Sequence, residues 1–231
     1  SFLRKDHPLL ANRFRQAARR TQHVNLVHVA DDDPLITLRN KLVVPPADLV
    51  GALAGIVRAL AEARQQAVPE AAASAQPSDA ARAIAADLAS GKQVGVFLGN
   101  TAQHHPDAAM LQWLAQSLAE LAGGRFGFLG EAANSVGGYL ANCVPGARGR
   151  SAAAMLAEPR KAYLLLNVEP ELDTHDPAQA MSAMRAAEAV VVLSTFRTRA
   201  EEFAEVLLPV APFTETSGTF VNTEGLAQGF N

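Results

Sequence analysis

The chain has little of what metal clusters, disulfides or membrane spans require. Its single cysteine, Cys143, excludes an internal disulfide and an iron–sulfur cluster held within it, since such clusters take about four thiolates. No stretch approaches the ~18 uninterrupted apolar residues of a membrane span, so no direct membrane insertion is expected. A formal net charge of −3 gives no reason to expect nucleic acid as a partner.

Residues that could carry catalysis are also scarce. His104 and His105 are adjacent and have no acidic or cysteine partner at ligand spacing, so we predict no metal site there. Glu215 and Glu224 could form an acid/base pair, but nothing near them in sequence offers a nucleophile. The aspartates at 31–33 could hold a ribose hydroxyl or a cation, although a solvated turn is the preferred interpretation. We therefore assign no catalytic residue and no metal ligand.

Strand and helix patterns alternate along most of the chain. Apolar β-rich runs predict strands at residues 24–30, 93–98, 125–129, 163–168, 189–193 and 206–210. Amphipathic patterns predict intervening helices at residues 79–89, 107–121 and 176–187, and Ser78 is the expected N-cap of the first of these. Continuous apolar strands separated by such helices indicate an α/β fold with a three-layer, mostly parallel, doubly wound sheet.

The patterns also predict a division of the chain. Residues 1–65 supply two helices but one convincing strand, so we expect the end of an α/β lobe whose other strands lie upstream, a sheet truncated at its N-terminus. Residues 66–78 are low in complexity and contain two prolines, which is typical of a linker. Residues 79–231 are predicted to form the main α/β lobe.

Four segments in fixed order carry a family resemblance. They are S-F-L-R-K-D-H-P-L-L with V-N-L-V-H-V-A-D-D-D, then G-E-A-A-N-S-V-G-G, then L-L-L-N-V-E-P, and finally the strand at 206–210 followed by E-T-S-G-T-F-V-N-T-E-G. Together they resemble the molybdopterin oxidoreductase superfamily and, within it, the large iron–sulfur subunit of bacterial NADH–quinone oxidoreductase, respiratory complex I. In the last segment, Gly218 and Gly225 would supply positions of positive φ or of close backbone approach.

The resemblance implies a cofactor cradle at the carboxyl ends of the strands. By position, the cradle would comprise Gly99, Asn100, Gln103, Glu169, Pro170, Thr195, Gly218, Thr219 and Asn222. Two departures suggest that it is vestigial. Molybdopterin enzymes usually have a basic residue after the final glutamate, where this chain has Gly225 and Leu226. The loop after Leu98 also lacks a glycine-rich phosphate nest.

The implied function is that of a structural, non-redox segment supporting electron transfer from NADH to quinone by the whole complex. Its partners would be other subunits of the peripheral arm, on the cytoplasmic face of the bacterial inner membrane. No cofactor is expected in this segment, and iron–sulfur clusters are expected upstream. Two alternatives remain: the middle of an active molybdopterin-dependent oxidoreductase of the formate dehydrogenase or nitrate reductase type, and a stand-alone nucleotide-binding module.

Overall fold

The computed structural model describes residues 2–231, which divide between Ala132 and Ala133 into a first and a second unit. The α-helices are α1 (Leu3–Asp6), α2 (Pro8–Ala18), α3 (Leu49–Ala63), α4 (Asp79–Ser90), α5 (Asn100–Gln103), α6 (Ala108–Ala122), α7 (Ser135–Leu140), α8 (Ala152–Ala157), α9 (Pro170–Asp173) and α10 (Pro177–Ala186). The strands are β1 (Asn25–His28), β2 (Asn40–Val43), β3 (Gly95–Leu98), β4 (Arg125–Phe128), β5 (Ala162–Leu166), β6 (Ala189–Ser194), β7 (Val206–Pro209), β8 (Gly218–Val221) and β9 (Ala227–Phe230). Within residues 2–231, no helix is both long and apolar enough to cross a membrane.

The first unit pairs β1 with β2 and β3 with β4, both in parallel. Helices α3, α4 and α6 pack together, and Val27, Leu42 and Val96 of the strands lie against their core. The next residue along β3, Phe97, points to the opposite face, where its ring meets that of Phe14 on α2 at a centroid distance of 6.1 Å. Helices therefore lie on both faces of β3, as expected of a parallel sheet.

Local capping chemistry places the helix starts where the sequence predicts them. The Ser78 hydroxyl accepts a hydrogen bond from the Ala81 N–H at 3.1 Å, which caps α4. The Asp176 carboxylate accepts from the Gln179 N–H at 2.9 Å and caps α10, whose first residue is Pro177. Both helix predictions are confirmed to within one or two residues.

The structure places the division of the chain elsewhere than the predicted linker at 66–78. That stretch lies inside the first unit and contains a 3₁₀ helix, Glu70–Ala72, in which Ala72 is fully buried. The Arg58 guanidinium of α3 donates to the carbonyls of Ala73 and Ala75, both at 2.9 Å. Small alanine side chains, which look like linker composition in the sequence, here allow the backbone to pack closely on α3 and α4.

Two further expectations need correction. Residues 1–65 contain two strands, because β2 pairs along its whole length with β1. The glycine-rich stretch at 130–149, for which the sequence patterns predict no helix, contains helix α7. In each case the missed element is at most six residues long and depends on a tertiary partner more than on its own propensity.

The second unit is built on a parallel sheet with the order β5-β6-β7. Its core includes Val190 and Val192 of β6, Met184 of α10, and Phe203, which follows a 3₁₀ helix at Arg199–Glu202. Strands β8 and β9 form a separate antiparallel hairpin. Three of the four sheets are parallel, which confirms the α/β class and the mostly parallel pairing.

Candidate functional site

In the first unit, the predicted cradle residues follow β3. Gly99 is the N-cap of the short helix α5, in which Asn100 and Gln103 are the first and last residues. The Gln103 side-chain amide donates to the carbonyls of Leu98 at 3.1 Å and Leu129 at 2.9 Å. This amide thereby ties the carboxyl ends of β3 and β4 together, so its N–H groups are engaged within the protein.

The two adjacent histidines contact different parts of the first unit. His104 Nε2 lies 2.6 Å from Glu131 Oε2, which joins the loop after β3 to the loop after β4. His105 Nδ1 accepts from the Asp107 N–H at 3.0 Å, and its Nε2 lies 3.0 Å from the Pro46 carbonyl oxygen. His105 therefore stabilises the turn that leads into α6. Among residues 2–231, no three His, Cys, Asp or Glu side chains are grouped to hold a metal ion.

The three aspartates after β1 line a depression of about 380 Å³, together with Lys41. The Lys41 ammonium donates to Asp31 Oδ1 at 2.7 Å and to the Asp32 carbonyl oxygen. The hydrogen bond and charge of Lys41 lower the pKa of the Asp31 carboxyl. The Asp33 carboxylate accepts from the Leu35 N–H at 2.7 Å. Asp31 and Asp33 are therefore engaged in organising this turn.

The second unit has a larger cleft, of about 770 Å³, beyond the carboxyl ends of β5 and β6. We call it the glutamate–arginine cleft; its lining residues are Glu169, Glu171, Leu172, Phe196, Arg197, Thr198, Arg199, Glu201 and Glu202. Of the predicted cradle, Glu169 lines the cleft, and Thr195 lies one residue before the lining residue Phe196. Pro170 begins α9 and is buried, so it serves the helix.

Salt bridges within the glutamate–arginine cleft pair both of its arginines. Arg199 binds Glu202 through two parallel bonds, Nε to Oε1 and Nη2 to Oε2, each 2.8 Å long. Arg197 Nε lies 2.5 Å from Glu201 Oε1. The lining contains four glutamates and two arginines, and a third guanidinium, that of Arg185 on α10, lies 3.7 Å from Glu202 Oε2. Carboxylate therefore remains in excess by one charge after this pairing. The cleft is therefore electrostatically unfavourable for an anionic ligand.

The salt bridge between Arg199 and Glu202 also makes the stability of the folded protein depend on pH. The hydrogen bond from Arg199, with its charge, lowers the pKa of Glu202, so this carboxyl binds a proton less readily in the folded protein than in the unfolded chain. Its contribution to stability is present above the unfolded pKa of about 4.3 and is lost as the pH falls through the lower folded value. We expect carbon-detected NMR to give Glu202 a titration midpoint below the unfolded value of about 4.3. The Arg199→Gln substitution should raise that midpoint, and an unchanged Glu202 midpoint in this variant would contradict the assignment.

The C-terminal motif forms the β8–β9 hairpin and the turn that joins its strands. Gly218 and Thr219 lie within β8, and Asn222 begins the turn, where its Oδ1 accepts from the N–H groups of Glu224 at 3.0 Å and Leu226 at 2.9 Å. The positive φ of this motif, +82°, belongs to Gly225. A Cβ at Gly218 would instead lie 2.7 Å from Cζ of the Phe230 ring, so Gly218 is a site of close approach.

A hydrogen bond joins two of the motifs that carry the family resemblance. The Asn134 side-chain Oδ1 accepts from the Val221 N–H at 2.8 Å, linking the N-terminus of α7 to the hairpin. Gly137 lies beneath this amide, where a Cβ would come within 2.0 Å of the Asn134 Oδ1. The close packing explains why this segment uses glycine at 137.

Gly218 and Gly225, two of the three glycines of the hairpin, should respond differently to alanine. Gly225→Ala should destabilise the second unit by about 1–2 kcal/mol, because an L side chain is strained at positive φ. Gly218→Ala should have a smaller effect, because the tip of the Phe230 ring can move aside. Urea unfolding of both variants measures the difference, and equal losses would contradict the separate roles.

Five charged residues that line the glutamate–arginine cleft lie outside the predicted cradle: Glu171, Arg197, Arg199, Glu201 and Glu202. A signal for the last four is present in the run R-T-R-A-E-E at residues 197–202. Arginine and glutamate recur there three and four residues apart, which is the spacing that allows side chains to pair on one helical turn.

Comparison with known proteins agrees with this architecture. The family model described as Molybdopterin oxidoreductase matches residues 3–231. The chain is also similar to the G subunit of NADH-quinone oxidoreductase from Mycobacterium bovis (strain ATCC BAA-935 / AF2122/97) and from Mycobacterium tuberculosis (strain CDC 1551 / Oshkosh). Identity to each is 38% over 91 residues, which is 38% of this chain and 11% of the relative. Because the family match spans nearly the whole sequence, the chain belongs to the molybdopterin oxidoreductase family.

Proposed function

We propose that the chain is a structural, non-redox segment of the large iron–sulfur subunit of NADH–quinone oxidoreductase. In this role it supports electron transfer from NADH to quinone by the whole complex without carrying a redox centre. The likeness to the two mycobacterial NADH-quinone oxidoreductase proteins supports the subunit assignment. Its partners would be the other subunits of the peripheral arm, on the cytoplasmic face of the inner membrane, and the iron–sulfur clusters would lie upstream of this segment.

The proposed absence of a redox role rests on one observation, the charge of the glutamate–arginine cleft. The cofactor of the family is a pair of pterin-guanine dinucleotides, whose phosphates need free cationic groups or unengaged backbone N–H groups. Both arginines of the cleft already bind glutamates, and the carboxylates that remain oppose an anion. The residues present therefore do not fit the cofactor.

The first unit supports the same interpretation. The Gln103 amide bonds to two backbone carbonyls, and Lys41 binds Asp31 and the Asp32 carbonyl. Groups that could otherwise contact a dinucleotide thus stabilise the protein itself. The α/β fold is retained, but the polar groups of Gln103 and Lys41 form hydrogen bonds within the protein. Such internal hydrogen bonds stabilise the fold, as a structural role requires.

Metal and pterin analysis of the full-length protein tests this proposal. Purified from its native host, the protein should contain iron but neither molybdenum nor fluorescent pterin in stoichiometric amount. An active molybdopterin enzyme isolated from the same cells is the matched control, because it shows that the host makes and inserts the cofactor. Molybdenum and pterin near one equivalent would reject the scaffold role and favour an active oxidoreductase, the alternative that the family match also permits.

A stand-alone nucleotide-binding module is the remaining alternative. It requires saturable binding of guanine or adenine nucleotides by the chain, which isothermal titration calorimetry would detect. The excess carboxylate of the glutamate–arginine cleft leads us to expect none.

A further inference from the structure

Four charged side chains at the glutamate–arginine cleft alternate in sign across three elements of the second unit. They are Glu171 of α9, Arg199 and Glu202 of the 3₁₀ helix that follows β6, and Arg185 of α10. Glu202 has two cationic neighbours, because Arg199 binds it through two hydrogen bonds of 2.8 Å and the Arg185 Nη2 lies 3.7 Å from its Oε2. Two guanidinium groups therefore share one carboxylate.

Glu171 has a carboxylate oxygen that lacks a donor. Its Oε2 is buried and makes no hydrogen bond to any side chain or backbone group of residues 2–231. An unbonded polar atom in such a place costs free energy, so buried oxygens are nearly always found with a donor. Because solvent does not reach this oxygen, its donor must be a group that already lies close to it.

Arg199 is a cation placed to supply that donor. Glu171 and Arg199 both line the cleft, the first in the connection after β5 and the second in the connection after β6. The hydrogen bond and charge of Glu202 raise the pKa of the Arg199 guanidinium, and the charge of Glu171 raises it further. The side chains of Arg199 and Glu202 are 55% and 45% exposed, so their ion pair contributes little free energy and can exchange.

We propose that Arg199 exchanges between Glu202 and Glu171, and that Arg185 binds Glu202 when Arg199 leaves it. In the arrangement described above, Arg199 stays on its own 3₁₀ helix and Glu171 Oε2 has no donor. In the second arrangement each arginine binds its own glutamate, and the Arg199 side chain joins the connection after β5 to the connection after β6. It then crosses the glutamate–arginine cleft and narrows it. The exchange is a conformational device that controls access to the cleft.

The NMR chemical shift of the Arg199 Nε–H group, measured in the whole chain, tests the exchange. Arg199→Lys identifies the resonance by removing it. Glu171→Gln confines Arg199 to Glu202, and Glu202→Gln confines it to Glu171. Because rapid exchange averages the shift over both arrangements, the wild-type shift should lie between the shifts of these two variants. The Nε–H of Arg197, which binds Glu201 in the same cleft, is the control and should keep its shift.

The rate at which the Arg199 Nε–H exchanges with water gives a second measurement. Glu202→Gln alone should change this rate by less than about twofold, because Glu171 accepts the guanidinium, whereas removing both carboxylates should raise it about fivefold. Equal rates in Glu202→Gln and in the double variant would overturn the proposal. A wild-type shift equal to that of Glu171→Gln would also overturn it, because Arg199 would then bind Glu202 alone.

A substitution at Arg185 tests the exchange without changing any carboxylate of the cleft. Arg185→Gln removes the cation that binds Glu202 in the second arrangement, so the Arg199 shift should move toward that of Glu171→Gln. This variant keeps the test open if a variant of either glutamate fails to fold. An unchanged Arg199 shift in Arg185→Gln would contradict the paired exchange.

Discussion

Replacing Ala72 with glutamate should destabilise the first unit by about 3–5 kcal/mol, because a larger, charged side chain would have to enter an apolar core. Ala72 is fully buried within the stretch at 66–78 and belongs to the same core as Leu60 of α3 and Ile84 of α4. These apolar side chains leave no room for glutamate and would desolvate its carboxylate. Urea unfolding followed by circular dichroism measures the loss.

The neighbouring alanine provides a matched control. Ala73 is exposed, and its contribution to the fold is a backbone carbonyl that accepts from Arg58. Ala73→Glu should therefore change the free energy of unfolding by less than about 0.5 kcal/mol. Similar, small effects of both substitutions would show that the stretch is a solvated linker and that its packing against α3 and α4 is not formed in solution.

The second large effect is expected in the central strand of the second unit. Val192→Asp should cost about 3–5 kcal/mol, because Val192 is 1% exposed and lies among aliphatic and aromatic side chains. The result should be loss of the cooperative unfolding transition of this unit, or a large shift of it to lower temperature. Differential scanning calorimetry at neutral pH, where an exposed aspartate is ionised, measures it.

Leu164→Asp, in the adjacent strand, is the control for aspartate in a β-strand. Leu164 is 72% exposed, so Leu164→Asp should lower the free energy of unfolding by no more than about 1 kcal/mol. An equally severe effect at both positions would mean that the chain covers Leu164 itself. Comparing Val192→Asp with Leu164→Asp therefore determines whether one face of the β5-β6-β7 sheet is buried or both faces are.

Much of the fold follows from local chemistry in the sequence. Ser78 and Asp176 cap helices because their side chains reach N–H groups three residues ahead, and this geometry needs no tertiary information. Strand β2 could not be found in this way. Its Asn40 and Lys41 have low strand propensity, and its pairing with β1 is a contact formed only in the folded unit.

The candidate site was predictable in position but not in its charge balance. Parallel strands place their carboxyl ends at one edge, so Glu169 and the residues after β6 were expected there, and Glu169 does line the glutamate–arginine cleft. Whether Arg199 is free or bound to Glu202 depends on side-chain geometry, which the spacing of residues suggests but does not fix. The predictions for the other cradle residues as ligand contacts remain predictions.

The hydrogen bond between Asn134 and Val221 has a consequence for the order of folding. It joins residues 87 positions apart, and closing such a loop costs about 4 kcal/mol of chain entropy. A single hydrogen bond returns only about 1 kcal/mol, so it cannot hold an unfolded chain closed. Other contacts within the second unit must therefore form before this bond or together with it. We therefore expect the β8–β9 hairpin to be among the last elements to acquire exchange protection during refolding.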